Sequence, residues 1–301
     1  MDICAVIVTY NRLEKLKKAL TKYNDQTRRP NKVIVVDNAS KEDTKAFLKE
    51  WLEKDDGYQK IVLTLDKNYG CSGGLYRGMQ KALEIGFDWI WIADDDSYPD
   101  ERAFEILESK IKENPPYKVI SSEVINKFGI CLIHRTRISR ENKIPYFKPI
   151  ALSEYDKESF EYDTFSFVGT GLSKEVVDAC GLVREDFFIW NDDTEYSLRI
   201  GKKYKMVCFP SIKVYHDDDQ TGATNLLSWK QYYGERNMLE IFSLHFSKFE
   251  NRAYTLKFKL RLLKHRFDNR LVYDLLKTAY SDFKHRKFGI SEKYKPGMKL
   301  E

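Results

Sequence analysis

No apolar run in this sequence reaches about 18 residues, so no segment reads as a membrane-spanning helix. Cysteine is sparse: Cys4, Cys71, Cys131, Cys180 and Cys208 are odd in number, scattered and free of any Cys-x-x-Cys pair. That argues against a disulfide framework and a thiolate zinc site, and it fits a reducing, cytoplasmic setting. The basic flank of a secretory leader is missing too. Met1-Asp2 runs straight into Ile3-Cys4-Ala5-Val6-Ile7-Val8, which reads as a first core strand. The glycine-rich stretch Gly70-Cys71-Ser72-Gly73-Gly74 matches neither Gly-x-Gly-x-x-Gly nor a loop closing in Gly-Lys-Ser/Thr. A dinucleotide dehydrogenase and a P-loop ATPase are therefore disfavoured. No recognised nucleic-acid-binding motif occurs.

What is present suffices for a full core. The 301 residues are 42% hydrophobic, and the 32% that are charged are mixed in sign, which does not suggest disorder. Such a length holds one large domain, or one domain with a small appendage. A net charge of +5 hides an asymmetry. From Asn225 to Glu301, 17 Lys/Arg face 8 Asp/Glu, whereas the first 224 residues carry 34 against 38. We therefore divide the chain into a domain over residues 1–224 and a basic helical extension over 225–301.

Taken in order, Asp2–Thr9, Val33–Val36, Ile61–Leu65 and Trp89–Ala93 read as apolar strands. Leu13–Tyr23, Lys41–Lys54 (with Ser40 as N-cap) and Leu75–Ile85 read as the helices between them. Strand and helix alternating in this way predict an α/β fold, a mainly parallel sheet flanked by helices. Ligands bind such sheets at the carboxyl ends of the strands. Polar clusters sit at four of those ends: Thr9-Tyr10-Asn11-Arg12, Asp37-Asn38, Asn68 to Gly74, and Asp94-Asp95-Asp96.

The acidic trio is the most telling of these. Adjacent carboxylates raise one another's pKa unless a positive charge sits among them. A divalent cation with oxygen ligands is the simplest such partner, and a plain acidic turn is the alternative. Small residues at Gly70–Gly74 precede a helix, where a backbone can approach an anion, with Arg77 one turn in. Further on, Phe187-Phe188-Ile189-Trp190 leads into Asn191-Asp192-Asp193-Thr194-Glu195. These carboxylates suit a helix's first turn, and behind an aromatic wall they also make a candidate general base. Met206–Pro210 reads as one strand, and a further one ends in Val214-Tyr215-His216-Asp217-Asp218-Asp219. His216, at a strand end beside acidic residues, is a candidate metal ligand. Asn114 to Asp163 shows strand-like pieces at Tyr117–Ser122 and Ile130–Ile133, then little periodicity, and no chemistry can be placed there.

This ordered set resembles the inverting family 2 nucleotide-sugar glycosyltransferases of GT-A fold, over roughly Ile3 to Met238. The matching residues are Thr9-Tyr10-Asn11-Arg12, Asp37-Asn38-Ala39-Ser40, Asn68-x-Gly70-x-x-Gly73-Gly74-x-x-Arg77-Gly78, Asp94-Asp95-Asp96, Trp190-x-Asp192-Asp193-Thr194-Glu195-Tyr196-x-x-Arg199 and His216. Tyr232-Tyr233-x-x-Arg236-Asn237 is similar as well. The resemblance implies that Thr9, Tyr10, Asn11, Arg12, Asn68, Gly70, Arg77, Asp94 and Asp95 surround the donor nucleotide, with Asp37 on its base. It implies Mn²⁺ or Mg²⁺ on Asp96 and His216, Asp193 as general base, and Asp192, Glu195 and Trp190 at the acceptor. The metal would neutralise a diphosphate leaving group, and direct displacement would invert the anomeric carbon without a covalent enzyme intermediate.

Within that family the chain is most similar to galactofuranosyltransferases using UDP-galactofuranose. Rhamnosyltransferases using dTDP-rhamnose are the alternative. Galactofuranosyltransferases often place Trp directly before the Asp pair, whereas here Asn191 intervenes. The implied partners are a nucleotide-sugar donor and a glycan or lipid-linked glycan acceptor, as in capsule or O-antigen assembly. Two readings of another class are a nucleotide-sugar binder without turnover and a calcium-binding adhesive domain.

In the basic tail, Ser228–Phe246 and Leu256–Phe283 read as helices. Leu256, Leu260, Leu263 and Phe267 share one face, flanked by Lys257, Lys259, Arg261, Lys264 and Arg266. Such a helix can lie on an anionic membrane at the inner face of the cell. The commoner arrangement, and the expectation here, is an apolar face packed on the core with a solvated basic rim. The sequence leaves the oligomeric state open.

Overall fold

The computed structural model describes residues 1–217 and 227–300. Asp218, Asp219 and the expected division at 224/225 lie outside the described residues. The first half alternates as expected: β1 (Ile3–Thr9), α1 (Leu13–Asn24), β2 (Lys32–Asp37), α2 (Glu42–Glu53), β3 (Gln59–Thr64), α3 (Gly70–Ile85) and β4 (Trp89–Asp94). These strands pair in parallel in the order β3-β2-β1-β4. β1 is apolar from Ile3 to Val8, as suits a strand covered on both faces. Ile3, Ala5 and Ile7 join Leu16 and Leu20 of α1 in one core, and Cys4 and Val6 join Leu75 and Met79 of α3 in the other.

The chain continues through β5 (Ser97–Pro99), α4 (Ala103–Glu113), β6 (Val119–Asn126), β7 (Gly129–Ile130), β8 (Arg135–Ser139), β9 (Tyr146–Pro149), β10 (Phe160–Tyr162), β11 (Thr164–Phe165), β12 (Thr170–Ser173), α5 (Lys174–Cys180), α6 (Asp192–Gly201) and β13 (Met206–His216). Beyond β4 the main sheet runs β12-β6-β13-β10. β12 is antiparallel to both of its neighbours and β10 is antiparallel to β13, while β6 and β13 are parallel. β8, β9 and β11 form a separate antiparallel sheet from the aperiodic middle segment and the two residues just after it. Three helices follow: α7 (Trp229–His245), α8 (Lys248–Asp268) and α9 (Arg270–Lys284).

Several boundaries differ from expectation for physical reasons. α3 begins at Gly70 rather than Leu75, so the glycine-rich stretch is the helix's own first turns. A Cβ at Gly74 would lie 2.6 Å from Val8, and one at Gly78 would lie 2.4 Å from Val6. The missing side chains let α3 sit directly on the sheet. Ser40 does not cap α2; its Oγ accepts from the Asn11 N–H at 3.0 Å, tying two strand-end loops together. The two strands expected over 206–216 are one, with a register shift between Phe209 and Lys213. The long C-terminal helix is broken at Asn269, whose side chain accepts from Val272 N and starts α9.

The expected packing of the tail's apolar stripe is not observed. α8 turns Phe258 inward, and Leu256, Leu260, Leu263 and Phe267 stand exposed. α7–α9 nevertheless share a core with the segment before α6, in which Phe188 packs with Tyr232, Tyr233 and Leu276.

Candidate active site

The carboxyl ends of β1, β2 and β4 and the start of α3 open onto one cleft of about 650 Å³. The structure brings Thr9, Tyr10, Arg12, Asn68, Gly70, Asp94, Asp95, Asp96, Trp190, Asp192, Asp193 and His216 together around it.

One wall carries the first acidic trio. Asp94 and Asp96 lie at and just beyond the end of β4, and His216 ends β13, paired against Ser97. Asp94, Asp96 and His216 each offer a ligand atom, all within 4.8 Å of one another. Two carboxylate oxygens and an imidazole nitrogen fit Mn²⁺ or Mg²⁺. The local charge agrees with that fit. Burial, then the Asp96 charge, pushes Asp94 up to about 6, a crowding that a cation there relieves. Burial also acts on Asp96, but the His216 hydrogen bond, Arg12 and Lys15 overcome it and hold Asp96 at about 2. Asp95 serves otherwise. It accepts from Thr9 Oγ1 at 2.7 Å and Arg12 Nη1 at 3.0 Å, and Arg12 also reaches Asp96 at 2.8 Å. Thr9, Arg12 and Asp95 thus clamp the ends of β1 and β4, with burial raising Asp95 to about 7.

The facing wall carries Asp192 and Asp193 in the first turn of α6. Ser72 Oγ in α3 donates to Asp192 Oδ2 at 2.8 Å, fixing that carboxylate. Among the described residues Asp193 accepts only locally, from Thr194 N–H at 2.6 Å and its hydroxyl at 3.3 Å, and it keeps part of its surface on the cleft. Burial, then the charge of Asp192, raises Asp193 to about 7. A carboxylate so placed can take a proton near neutral pH.

The loop before α6 is strained. Phe188, Trp190 and Asn191 have φ of 68°, 64° and 64°, a left-handed conformation that costs a non-glycine residue about 1 kcal/mol or more. α7 holds it in place. Asn237 Nδ2 donates to the Phe187, Ile189 and Trp190 carbonyls at 3.0, 3.2 and 2.8 Å, and Arg236 to Phe187 at 3.1 Å. The side chain of Asn191 donates to the Gly234 carbonyl at 3.0 Å. Gly70 (φ 76°) meets this loop on the other side, where a Cβ would lie 1.9 Å from the Phe188 carbonyl oxygen.

Four expected site residues do not line the cleft. Asn11 accepts from Lys41 N–H, bracing two loops. Asp37 is fully buried; one oxygen accepts from Ser40 N–H, and the other has no partner among the described residues. Arg77 stacks 3.7 Å over Tyr69 and donates to the Gly73 carbonyl and Glu185, so its charge is spent on shaping α3. Glu195 faces away, buried between Arg199 at 2.9 Å and His245 at 3.1 Å, which lower its pKa despite burial. An i,i+4 partner and a histidine of α7 hold its two oxygens.

Other cleft residues escape sequence reasoning. His134 lines the cleft with its ring 5.2 Å from that of His216, its Nδ1 is 2.5 Å from Ser166 Oγ, and its buried Nε2 has no partner among the described residues. Burial, then Arg135, holds it well below the usual imidazole range. Lys230 at the start of α7 and Pro296-Gly297 near the C-terminus also line the cleft. No local pattern marks any of these residues; His134 follows directly on the strand-like piece Ile130–Ile133.

A mainly parallel α/β sheet with an acidic strand-end cluster facing a helix-borne carboxylate defines a glycosyltransferase of GT-A type. The glycosyl transferase family 2 model matches residues 4–177, more than half the chain, and the chain belongs to that family of transferases. The match ends before Trp190, so Asp192, Asp193 and His216 lie beyond it. A galactofuranosyltransferase, GlfT1, of Mycolicibacterium smegmatis is 40% identical over 97 residues, 32% of this chain and only 30% of that protein's length. The dTDP-rhamnosyl transferase RfbF of Shigella flexneri is 28% identical over 227 residues, 71% of this chain and 69% of that protein. Among solved structures, GalNAc-T7 with UDP, GalNAc and Mn²⁺ superposes with a TM-score of 0.66 at 15% identity, covering 95% of this chain and 56% of that one. At that identity the likeness shows the fold alone.

Proposed function

We propose that this enzyme transfers galactofuranose from UDP-galactofuranose, with inversion, to a hydroxyl of a growing cell-surface glycan carried on lipid. One observation carries the reaction class: Asp193 and the Asp94/Asp96/His216 cluster open onto the same cleft. A divalent cation held by the cluster supplies positive charge to a diphosphate leaving group. The chain's residues do the rest. Asp193 accepts the acceptor hydroxyl proton as that oxygen bonds the anomeric carbon and the bond to the diphosphate breaks. Asp192, fixed by Ser72, holds the acceptor, and Trp190, 41% exposed, covers its ring.

The identity with the galactofuranosyltransferase supports the choice of sugar. The longer match to a rhamnosyl transferase favours a second reading, dTDP-rhamnose as donor. Thermal stabilisation by UDP, dTDP and GDP with Mn²⁺ decides between them. UDP alone should stabilise the protein; stabilisation by dTDP instead moves the assignment to rhamnose. Stabilisation by none of the three sinks the donor reading altogether.

A further inference from the structure

Helix α8 carries a pattern that the cleft does not use. Phe249, Ala253, Leu256, Leu260, Leu263 and Phe267 recur at spacings of four and three, so they form one stripe along the helix. The five large ones all face solvent, with exposures of 65%, 59%, 59%, 53% and 81% in chain order. The opposite side, through the buried Phe258, is what fastens α8 to the other C-terminal helices. A continuous apolar row left in water marks an interaction surface.

Both edges of the stripe are basic. Lys257 and Lys264 run along one edge, and Arg252, Lys259 and Arg266 along the other; all five are exposed. The ion pairs of α8 among the described residues use Glu250, Arg261, His265 and Asp268, and none of these five cations.

The rims select the occupant. A second copy laid on the same stripe about a two-fold axis would set cation against cation along both edges. An anionic lipid surface opposes both rims with negative charge and receives the apolar row among its acyl chains. We infer that α8 lies flat on an anionic membrane surface, with Leu256, Leu260, Leu263 and Phe267 inserted and the two basic rims at the headgroups. This docking does not depend on which sugar is transferred.

The test is co-sedimentation of the full chain with phosphatidylglycerol-containing vesicles and with pure phosphatidylcholine vesicles. Binding should require the anionic lipid and weaken with salt. Lys257→Glu, Lys259→Glu and Lys264→Glu together should reduce it roughly a hundredfold or more. Leu260→Asp should reduce it roughly thirtyfold. Equal binding to both vesicles, or binding to neither, overturns the inference. So does a dimer in solution that Leu260→Asp dissolves while vesicles are ignored, because the second copy is then the occupant. Stabilisation of each variant by UDP with Mn²⁺ is measured alongside. Its retention confirms an intact fold and cleft, and its absence in the wild type counts against the donor reading without touching the vesicle result.

Discussion

Asp94-Asp95-Asp96 and Asp192-Asp193-Thr194-Glu195 both place acidic side chains just after an apolar run, the second with Asn191 between, yet the fold uses them in opposite ways. The first trio sits among cations. Arg12, Lys15 and His216 reach Asp96, and Arg12 reaches Asp95. The second sits among hydroxyls and aromatic surface, and its one carboxylate with cationic partners, Glu195, has turned out of the cleft. Positive neighbours keep Asp96 ionised and ready to hold a cation. Their absence leaves Asp193 able to gain and lose a proton near neutrality. In each trio one member is structural: Asp95 clamps two strands, and Glu195 joins α6 to α7.

The contrast can be broken from either side. Asp193→Asn should cut turnover roughly 10²–10⁴-fold while leaving nucleotide binding with Mn²⁺ intact. Full activity in that variant would remove the base assignment. Glu195→Gln should act on folding instead. Unbalancing a buried pair costs about 3 kcal/mol and should lower Tm by roughly 5–10 °C with chemistry per folded molecule little changed. A collapse of kcat at unchanged Tm would return Glu195 to the acceptor. Asp96→Asn should weaken Mn²⁺-dependent stabilisation by UDP roughly 10–100-fold, read by titrating the metal. An unchanged metal titration would show that the cluster is not the site.

The smallest effect is the pH profile. Asp193 works deprotonated, and its folded pKa is raised to about 7. Activity should therefore rise with pH through 7 and fall about fivefold from pH 7 to 6. An unshifted carboxylate would give a flat profile there.

Legibility followed periodicity. Buried strands announce themselves as apolar runs, and the polar residues that end them belong together because parallel strands share one edge. That is why Asp94–Asp96, Asn68 and Thr9 were readable as a site. His134 was not. It sits in a short 3₁₀ turn between strands of two and five residues, too short to show a period. Partners across the chain were equally hidden: the Arg12 guanidinium on Asp95 and His245 on Glu195 depend on contacts 83 and 50 residues apart. The stripe on α8 is legible as one face and yet stands in solvent, because spacing fixes which residues share a face and not what that face meets.

The strained turn from Phe188 to Asn191 is tied to α7: Asn237 donates to its Ile189 and Trp190 carbonyls, Arg236 to the Phe187 carbonyl just before it, and the Asn191 side chain donates to the Gly234 carbonyl. The helices after residue 227 therefore cannot be exchanged as a free cassette between relatives. A chimaera that brings a foreign α7 must bring its own 187–191 segment as well, or the carboxylate pair at the start of α6 loses its aim. The useful crossover points lie upstream of residue 187, where the two segments travel together.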